Sequence, residues 1–343
     1  MRGSRLASAS TVTVTPISCA GRVNLIGDHT DYTGGLALPM AIDRYTHIKG
    51  TRAGDRVWLS SLDEPAPVDL PLSIARPQDA EPEWGKYVAG VVSEMRRPHG
   101  FHGHVTTDIP LGAGLSSSAA LEIAVALALG FQGTHLQLAQ LCQRAENRAS
   151  GVPSGIMDQL SIAAGVAGHA LMIDCGELTV TPVALPHGIE IVVQFIAQRT
   201  LVGSPYADRV AQCAAAERAI GPLRHATAAQ AKSIPDPVVR ARAMHVTSEN
   251  RRVIDFADAI AAGDLIEAGR LMVRSHESLR DDYATSTPTM DEAAAKTAAT
   301  PGVYGARITG GGFGGCIVAL TEPGALTTGW VVQAVAGATI VAQ

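Results

Sequence analysis

Apolar residues recur along this chain with two different periods. Thr46–Gly50 and Arg56–Leu59 alternate apolar and polar positions, which predicts strands of an antiparallel sheet with one buried face. Ala170–Asp174 and Ile189–Ile196 are short, nearly continuous apolar runs and read as buried strands. Elsewhere the period is helical. Leu136, Leu138, Leu141, Cys142 and Ala145 share one stripe of a helix over His135–Ser150, and Tyr206–Ile220, Ser248–Ala262 and Asp264–Arg280 read as amphipathic helices. Leu121–Leu129 is an apolar run of strong helix formers. No repeat is visible. Interleaved helices and strands place the chain in the α/β (α+β) class, and Pro186-His187-Gly188 is the expected boundary between lobes 1–186 and 187–343.

Three segments depart from this pattern. Gly21-Arg22-Val23-Asn24-Leu25-Ile26-Gly27-Asp28-His29-Thr30-Asp31-Tyr32 sets an arginine, two acids, a histidine and a tyrosine between apolar flanks. Unpaired charge is a costly way to build a core. A site that holds several hydroxyls needs such a set, because carboxylates accept while Arg and His donate.

The second segment, Pro110-Leu111-Gly112-Ala113-Gly114-Leu115-Ser116-Ser117-Ser118-Ala119-Ala120, runs into the Leu121–Leu129 helix. Small residues before a helix N-terminus let backbone N–H groups and the positive end of the dipole meet an anion. No Gly-Lys-Ser/Thr follows, so this is not a Walker loop. The third segment carries Gly310, Gly311, Gly312, Gly314 and Gly315 after Thr309, with a strand-like run over Cys316–Leu320. Such density implies backbone approaching a ligand or another backbone closely.

Composition narrows the function classes. A chain of 343 residues with 46% hydrophobic content suffices for two domains with ample cores. A net charge of −5 argues against nucleic acid and against an anionic membrane surface as partners. Cys19, Cys142, Cys175, Cys213 and Cys316 are odd in number and form no CxxC pair, which suits reduced thiols in a cytoplasmic protein. The first 27 residues hold no acid and several Arg and Ser, a composition similar to that of a transit peptide; a short disordered tail at the N-terminus is the favoured expectation, and there is no apolar signal core.

Together the three segments resemble the GHMP kinases, and among them the galactokinase branch. That branch opens on Gly-Arg-Val-Asn-Leu-Ile-Gly-Glu-His-Thr-Asp-Tyr, matched at 21–32 except for Asp28; its Pro-Leu-Gly-Ala-Gly-Leu-Ser-Ser-Ser-Ala and Thr-Gly-Gly-Gly-Phe-Gly-Gly-Cys stretches match at 110–119 and 309–316. Gly151–Gln159 and Ser275–Tyr283 agree as well. The resemblance implies a two-lobed fold, with an S5-domain-2-like N-lobe, a ferredoxin-like C-lobe and the active site between them. It implies ATP-dependent phosphorylation of the C1 hydroxyl of galactose, feeding galactose catabolism by the Leloir pathway, in a monomer or weak homodimer. A kinase for N-acetylgalactosamine or another sugar is the alternative enzyme. A non-catalytic sugar sensor is the alternative from another class, and the intact Ser118-Ala119 pair speaks against it.

The same resemblance implies roles for residues. Asp158 would be the base that takes the sugar proton, and Arg22 the neighbouring cation that favours its charged form. Asp28, His29, Asp31, Gly155 and Tyr206 would hold the sugar. Pro110, Gly112, Ala113, Gly114, Leu115, Ser116, Ser117, Ser118 and Ala119 would wrap the ATP phosphates. Ser118 and Glu146 would hold Mg²⁺, a hard cation that takes oxygen ligands. Thr309, Gly310, Gly311 and Gly312 would close over the site. Asp28, one methylene shorter than the family's glutamate, and Gln198, where a basic residue is common, are the two departures.

Overall fold

The computed structural model describes residues 12–198 and 205–339. In its first half the chain runs β1 (Val12–Asn24), β2 (Leu36–Ala37), β3 (Pro39–Arg52), β4 (Arg56–Ser61), β5 (Val68–Pro71), α1 (Gly85–Glu94), β6 (Phe101–Thr107), α2 (Ser117–Ala128), α3 (His135–Ser150), α4 (Met157–Ala164), β7 (His169–Asp174) and β8 (Thr179–Ala184). Five of these strands form one sheet in the order β1-β3-β6-β4-β5, while β2, β7 and β8 form a smaller one.

The alternation read at Thr46–Gly50 and Arg56–Leu59 is present, with Thr46, Ile48, Val57 and Leu59 buried. The two strands are not neighbours, however. Strand β6 lies between them, antiparallel to β3 and parallel to β4, so the sheet is mixed. The turn after β3 crosses the start of β6, where the N–H of Ala53 donates to the carbonyl of Gly100 at 3.0 Å. A Cβ at Gly100 would collide with the carbonyls of Ala53 and Gly54, so the crossing needs a glycine there. Nothing in the alternation of either strand encodes that insertion.

The second half runs β9 (Glu190–Ala197), α5 (Tyr206–Ile220), α6 (Ala228–Lys232), α7 (Pro237–Ala262), α8 (Leu265–Asp281), α9 (Pro288–Ala298), β10 (Val303–Ile308), β11 (Gly315–Thr321) and β12 (Trp330–Val332). Its strands form an antiparallel sheet in the order β10-β11-β9-β12. Helix α7 begins eleven residues before the Ser248 start read from the apolar pattern. Asp236 caps it, accepting from the N–H groups of Val238 and Val239 at 2.8 and 2.9 Å, and Pro237 fills the first position. The pattern hides this extension because its inward face carries Arg242 and His245, both buried. Helix α8 starts one residue after Asp264, which serves as its cap.

The turn at 186–188 joins β8 to β9. Beyond β12 the chain crosses back to the first half: Val335 N–H donates to the carbonyl of Ala41 and Ala338 N–H to that of Ile162, each at 3.0 Å. A large apolar core spans both halves, and a smaller one (Cys213, Val246, Leu279, Tyr283, Met290, Ile308 and Ile317 among its members) lies within the second. Among the described residues no helix is long and apolar enough to cross a membrane.

Candidate active site

Strand β1 ends beside the N-terminus of α4, and this puts Arg22 against Asp158. Arg22 is almost fully buried; its Nε and Nη2 donate to the two carboxylate oxygens at 2.7 and 2.8 Å, and its Nη1 donates to the carbonyl of Gly114 at 2.6 Å. Such a bidentate pair fixes the plane of the carboxylate. Ser116 adds a hydrogen bond from its Oγ to Asp158 Oδ2 at 2.5 Å. The arginine therefore joins β1, the 110–120 loop and α4 in one contact network.

Around Asp158 lie two compartments. One is a cavity of about 400 Å³ lined by Gly112, Gly114, Ser116, Ser117 and Ser118, with an apolar side that includes Trp84, Val105, Leu111 and Leu121. The loop reaches this shape through left-handed conformations at Gly112, Gly114 and Ser116. Ser116 is a non-glycine residue in that region, which costs energy. Helix α2 starts directly behind it with its unpaired N–H groups. Ala113, Leu115 and Ala119 are buried in the apolar core beneath the loop, so they hold it from below and do not line the cavity. Pro110 lies outside the lining as well, accepting from the Ala113 N–H at 3.3 Å.

At the cavity floor Ser118 Oγ donates to Glu146 Oε1 at 2.8 Å, and Gln159 Nε2 donates to Glu146 Oε2 at 2.6 Å. Burial, and next the charge of Asp158, raise the Glu146 carboxyl above its ordinary value. Among the described residues no cluster of three or more His, Cys, Asp or Glu is placed to hold a metal ion. Ser118 and Glu146 supply two oxygen donors, however, and that suits Mg²⁺, which keeps several waters and takes its other ligands from phosphates.

The second compartment is narrower and is lined by Arg22, Asp28, His29, Asp31, Gly155, Tyr206, Gly310 and Gly311, among others. Asp158, Glu146 and Ser154 line both compartments. Asp31 lies directly over Gly155, where an added Cβ would overlap its carboxylate. Burial, and then the Asp158 charge, push the Asp31 carboxyl up to about 7. His29 adopts a left-handed conformation (φ 64°), its ring 5.4 Å from that of Tyr206 and 4.7 Å from that of Tyr283. Tyr206 opens α5; the Thr200–Ser204 part of the motif that singled it out lies outside the described residues.

Asp28 lines this compartment, where it was expected to hold a sugar hydroxyl, and it is also tied into the protein. It is buried, and both carboxylate oxygens are engaged within the protein: Arg307 Nη2 donates to Oδ2 at 2.5 Å and the Gly310 N–H to Oδ1 at 2.9 Å. A short acid facing a fully buried guanidinium is drawn to it, since neither charge has solvent. The bond that Asp28 accepts from Gly310 also holds the glycine loop. Thr309 ties the same loop to β1, donating to the carbonyl of Asn24 at 2.9 Å and accepting the Asn24 N–H at 3.0 Å. Phe313 N–H donates to the carbonyl of Thr285 at 2.7 Å. Gly310 and Gly311 face the narrow compartment; Thr309 and Gly312 act as anchors and do not line it.

Sequence reasoning missed the layer behind this compartment. Arg307 also donates to the carbonyl of Leu25 at 3.0 Å. Glu249 accepts from the Gly27 N–H at 3.0 Å and from Ser275 Oγ; burial alone would raise its carboxyl, but Arg252, His245 and Arg307 hold it at about 2. His245 Nε2 meets the carbonyl of Asp28 at 3.1 Å. These polar residues on apolar-looking helix faces were the available signal.

Three family models match the chain: the GHMP kinases N terminal domain over 86–166, the galactokinase galactose-binding signature over 13–52, and the GHMP kinases C terminal domain over 256–326. A galactokinase of Roseiflexus sp. (strain RS-1) is 44% identical over 335 residues, covering 91% of this chain and 84% of that protein. The Homo sapiens galactokinase is 41% identical, covering 90% and 84%. Among solved structures, Lactococcus lactis galactokinase complexed with galactose superposes with a TM-score of 0.86 at 30% identity, covering 94% of each chain. A mevalonate kinase, at 20% identity and a TM-score of 0.67, shares the fold.

Proposed function

Because this chain belongs to the galactokinase family of the GHMP kinases, we propose that it transfers the γ-phosphoryl group of ATP to the C1 hydroxyl of galactose. One observation carries the mechanism. The Asp158 carboxylate sits on the wall shared by both compartments, held in plane by Arg22 and Ser116.

Galactose occupies the narrow compartment, with His29, Asp31 and Tyr206 around its hydroxyls and C1–OH toward Asp158. ATP occupies the larger cavity. Its phosphates lie along Gly112, Gly114, Ser116 and Ser117 at the N-terminus of α2, where backbone N–H groups and the helix dipole favour negative charge. The apolar side formed by Trp84, Val105, Leu111 and Leu121 suits the base; Trp84 is fixed there by its Nε1–H donating to the carbonyl of Ala66 at 3.0 Å.

Asp158 takes the hydroxyl proton as the sugar oxygen bonds to the γ-phosphorus, and ADP leaves with the electrons of the broken P–O bond. Little covalent work falls to the protein; alignment and charge stabilisation do most of it. Arg22 aligns the base and brings positive charge to the shared wall. Mg²⁺, which Ser118 and Glu146 would hold, neutralises charge on the phosphates when bound. Gly310 and Gly311 close one side of the sugar compartment. We propose the lobe boundary near 186–188, in the turn between β8 and β9.

The test is an ADP-release screen across galactose, N-acetylgalactosamine, arabinose, glucose and mevalonate. Turnover highest on galactose is expected. Turnover highest on N-acetylgalactosamine would move the assignment to the sibling sugar kinase, and no turnover on any sugar would overturn it.

A further inference from the structure

Behind the sugar compartment a line of hydrogen bonds leaves His29 and ends in the smaller core. His29 Nδ1 is 2.9 Å from the Tyr32 hydroxyl, Tyr32 Oη is 2.6 Å from Tyr283 Oη, and Tyr283 Oη is 2.9 Å from Cys213 Sγ. Tyr283 and Cys213 are essentially inaccessible. Tyr283 is also held in place from three sides. Arg209 donates to its carbonyl at 2.7 Å and to that of Ala284 at 2.8 Å, the His245 ring lies 4.5 Å from the Tyr283 ring, and the Arg242 guanidinium lies 5.8 Å from it.

The direction of these bonds is constrained by counting protons. Burial raises both phenols well above their ordinary value and lifts the Cys213 thiol to about 11, so all three groups keep their hydrogens. Two phenolic protons cannot fill three hydrogen bonds. If Tyr32 pointed at the imidazole while Tyr283 pointed at the sulfur, two bare phenolic oxygens would face each other at 2.6 Å. The third proton therefore comes from one end of the line, either the imidazole N–H or the thiol S–H. An imidazole N–H is a far better donor than S–H, and sulfur can accept weakly. Every bond then runs one way, from His29 to Tyr32 to Tyr283 to Cys213.

We infer that Tyr32, Tyr283 and Cys213 fix His29 as its Nδ1–H tautomer, which makes Nε2 an acceptor for a sugar hydroxyl. Tyr283 and Cys213 are thus positioning residues for a substrate they do not touch. The inference rests on the proposed sugar site, in which His29 lines the compartment. It carries a specificity consequence: the hydroxyl facing His29 must donate, so replacing it with fluorine, which cannot donate, loses that bond.

The experiment is long-range ¹H–¹⁵N NMR of the histidine-labelled protein, with His29→Ala assigning the resonance, alongside steady-state kinetics. In the unmodified protein His29 should show a protonated Nδ1 and a bare Nε2. Tyr283→Phe frees the Tyr32 O–H to turn toward Nδ1. The tautomer should shift to Nε2–H, and galactose KM should rise about five- to ten-fold with ATP KM and kcat within about two-fold, the scale of one hydrogen bond. Cys213→Ala, which removes only the last acceptor, should shift the same signal and raise galactose KM about two- to three-fold; it serves alone if Tyr283→Phe does not fold. An Nε2–H tautomer in the unmodified protein, or a tautomer unmoved by either variant, overturns the inference. So does a tautomer shift with no change in galactose KM. If His29→Ala leaves galactose KM unchanged, the sugar-site assignment itself has failed, and the NMR result shows this separately from the hydrogen-bond line.

Discussion

The two compartments that meet at Asp158 are built on different principles. The proposed nucleotide side presents main chain and hydroxyls: Gly112, Gly114, Ser116, Ser117 and Ser118 line an open cavity in front of a helix terminus. The proposed sugar side presents ionisable groups: Arg22, Asp28, His29, Asp31 and Asp158 crowd a much narrower space. A phosphate can be gripped by N–H groups that any small residue supplies, whereas reading hydroxyls takes fixed acceptors and donors. Fixed charges in a narrow space need partners of their own. Asp158 has Arg22, Asp28 has Arg307 and the Gly310 N–H, and in the layer behind them Glu249 has Arg252. On the proposed assignment, specificity toward the sugar depends on a second layer of residues, and tolerance to change should differ between the two sides.

The comparison breaks most visibly at Arg307. Arg307→Met leaves Asp28 buried without its cation, so stability should fall by about 3–5 kcal/mol, the scale of a broken buried ion pair. Thermal unfolding checks this, and a midpoint equal to that of the unmodified protein would refute the second-layer account. Gly155→Ala should act on one side only. The new Cβ displaces Asp31, so galactose KM should rise about ten-fold, the scale of a lost hydrogen bond to a charged group, while ATP KM holds. Equal rises in both would show that the compartments are not separable.

Asp31 sharpens the comparison through pH. Its carboxyl is raised from 3.8 to about 7 by burial and by Asp158, so between those values the folded state binds more protons than the unfolded one. Its contribution to stability is present below about pH 4 and is lost as pH rises through 7. Sugar binding has the opposite trend, because the ionised form is the acceptor. Galactose kcat/KM should rise as pH passes 7, and Asp31→Asn should flatten both curves. A stability profile unchanged by Asp31→Asn would contradict the assignment. The smallest effect is expected on the nucleotide side: Ser118→Ala should raise the Mg²⁺ needed for half-maximal rate by a few-fold, since waters replace one lost oxygen. An overlay with the unmodified Mg²⁺ curve would place the metal elsewhere.

How much of this was legible in the sequence follows the same division. The 110–120 loop was readable because glycine and serine before an apolar helix carry a local signal, and Gly112, Gly114, Ser116, Ser117 and Ser118 line the larger cavity. Helices α3, α5 and α8 fell where the apolar stripes put them. The insertion of β6 between β3 and β4 was not readable, because strand order is set by long-range pairing and alternation reports only which face is buried. The start of α7 was hidden by Arg242 and His245 on its buried face. Asp28 was identified as part of the site, but its partner Arg307 lies 279 positions away, and no local pattern joins them. Tyr283 and Cys213 likewise meet only through the fold.

The central claim is that Asp158 is the group through which the two compartments act together. Asp158→Asn keeps the shape of the side chain and removes the proton acceptor. Titration calorimetry with galactose and with an ATP analogue, alongside single-turnover rates, tests it directly. Both ligands should bind within a few-fold of the unmodified protein while the rate of phosphoryl transfer falls by about 10² or more. A variant that binds both ligands and retains a tenth of the original rate would contradict the account.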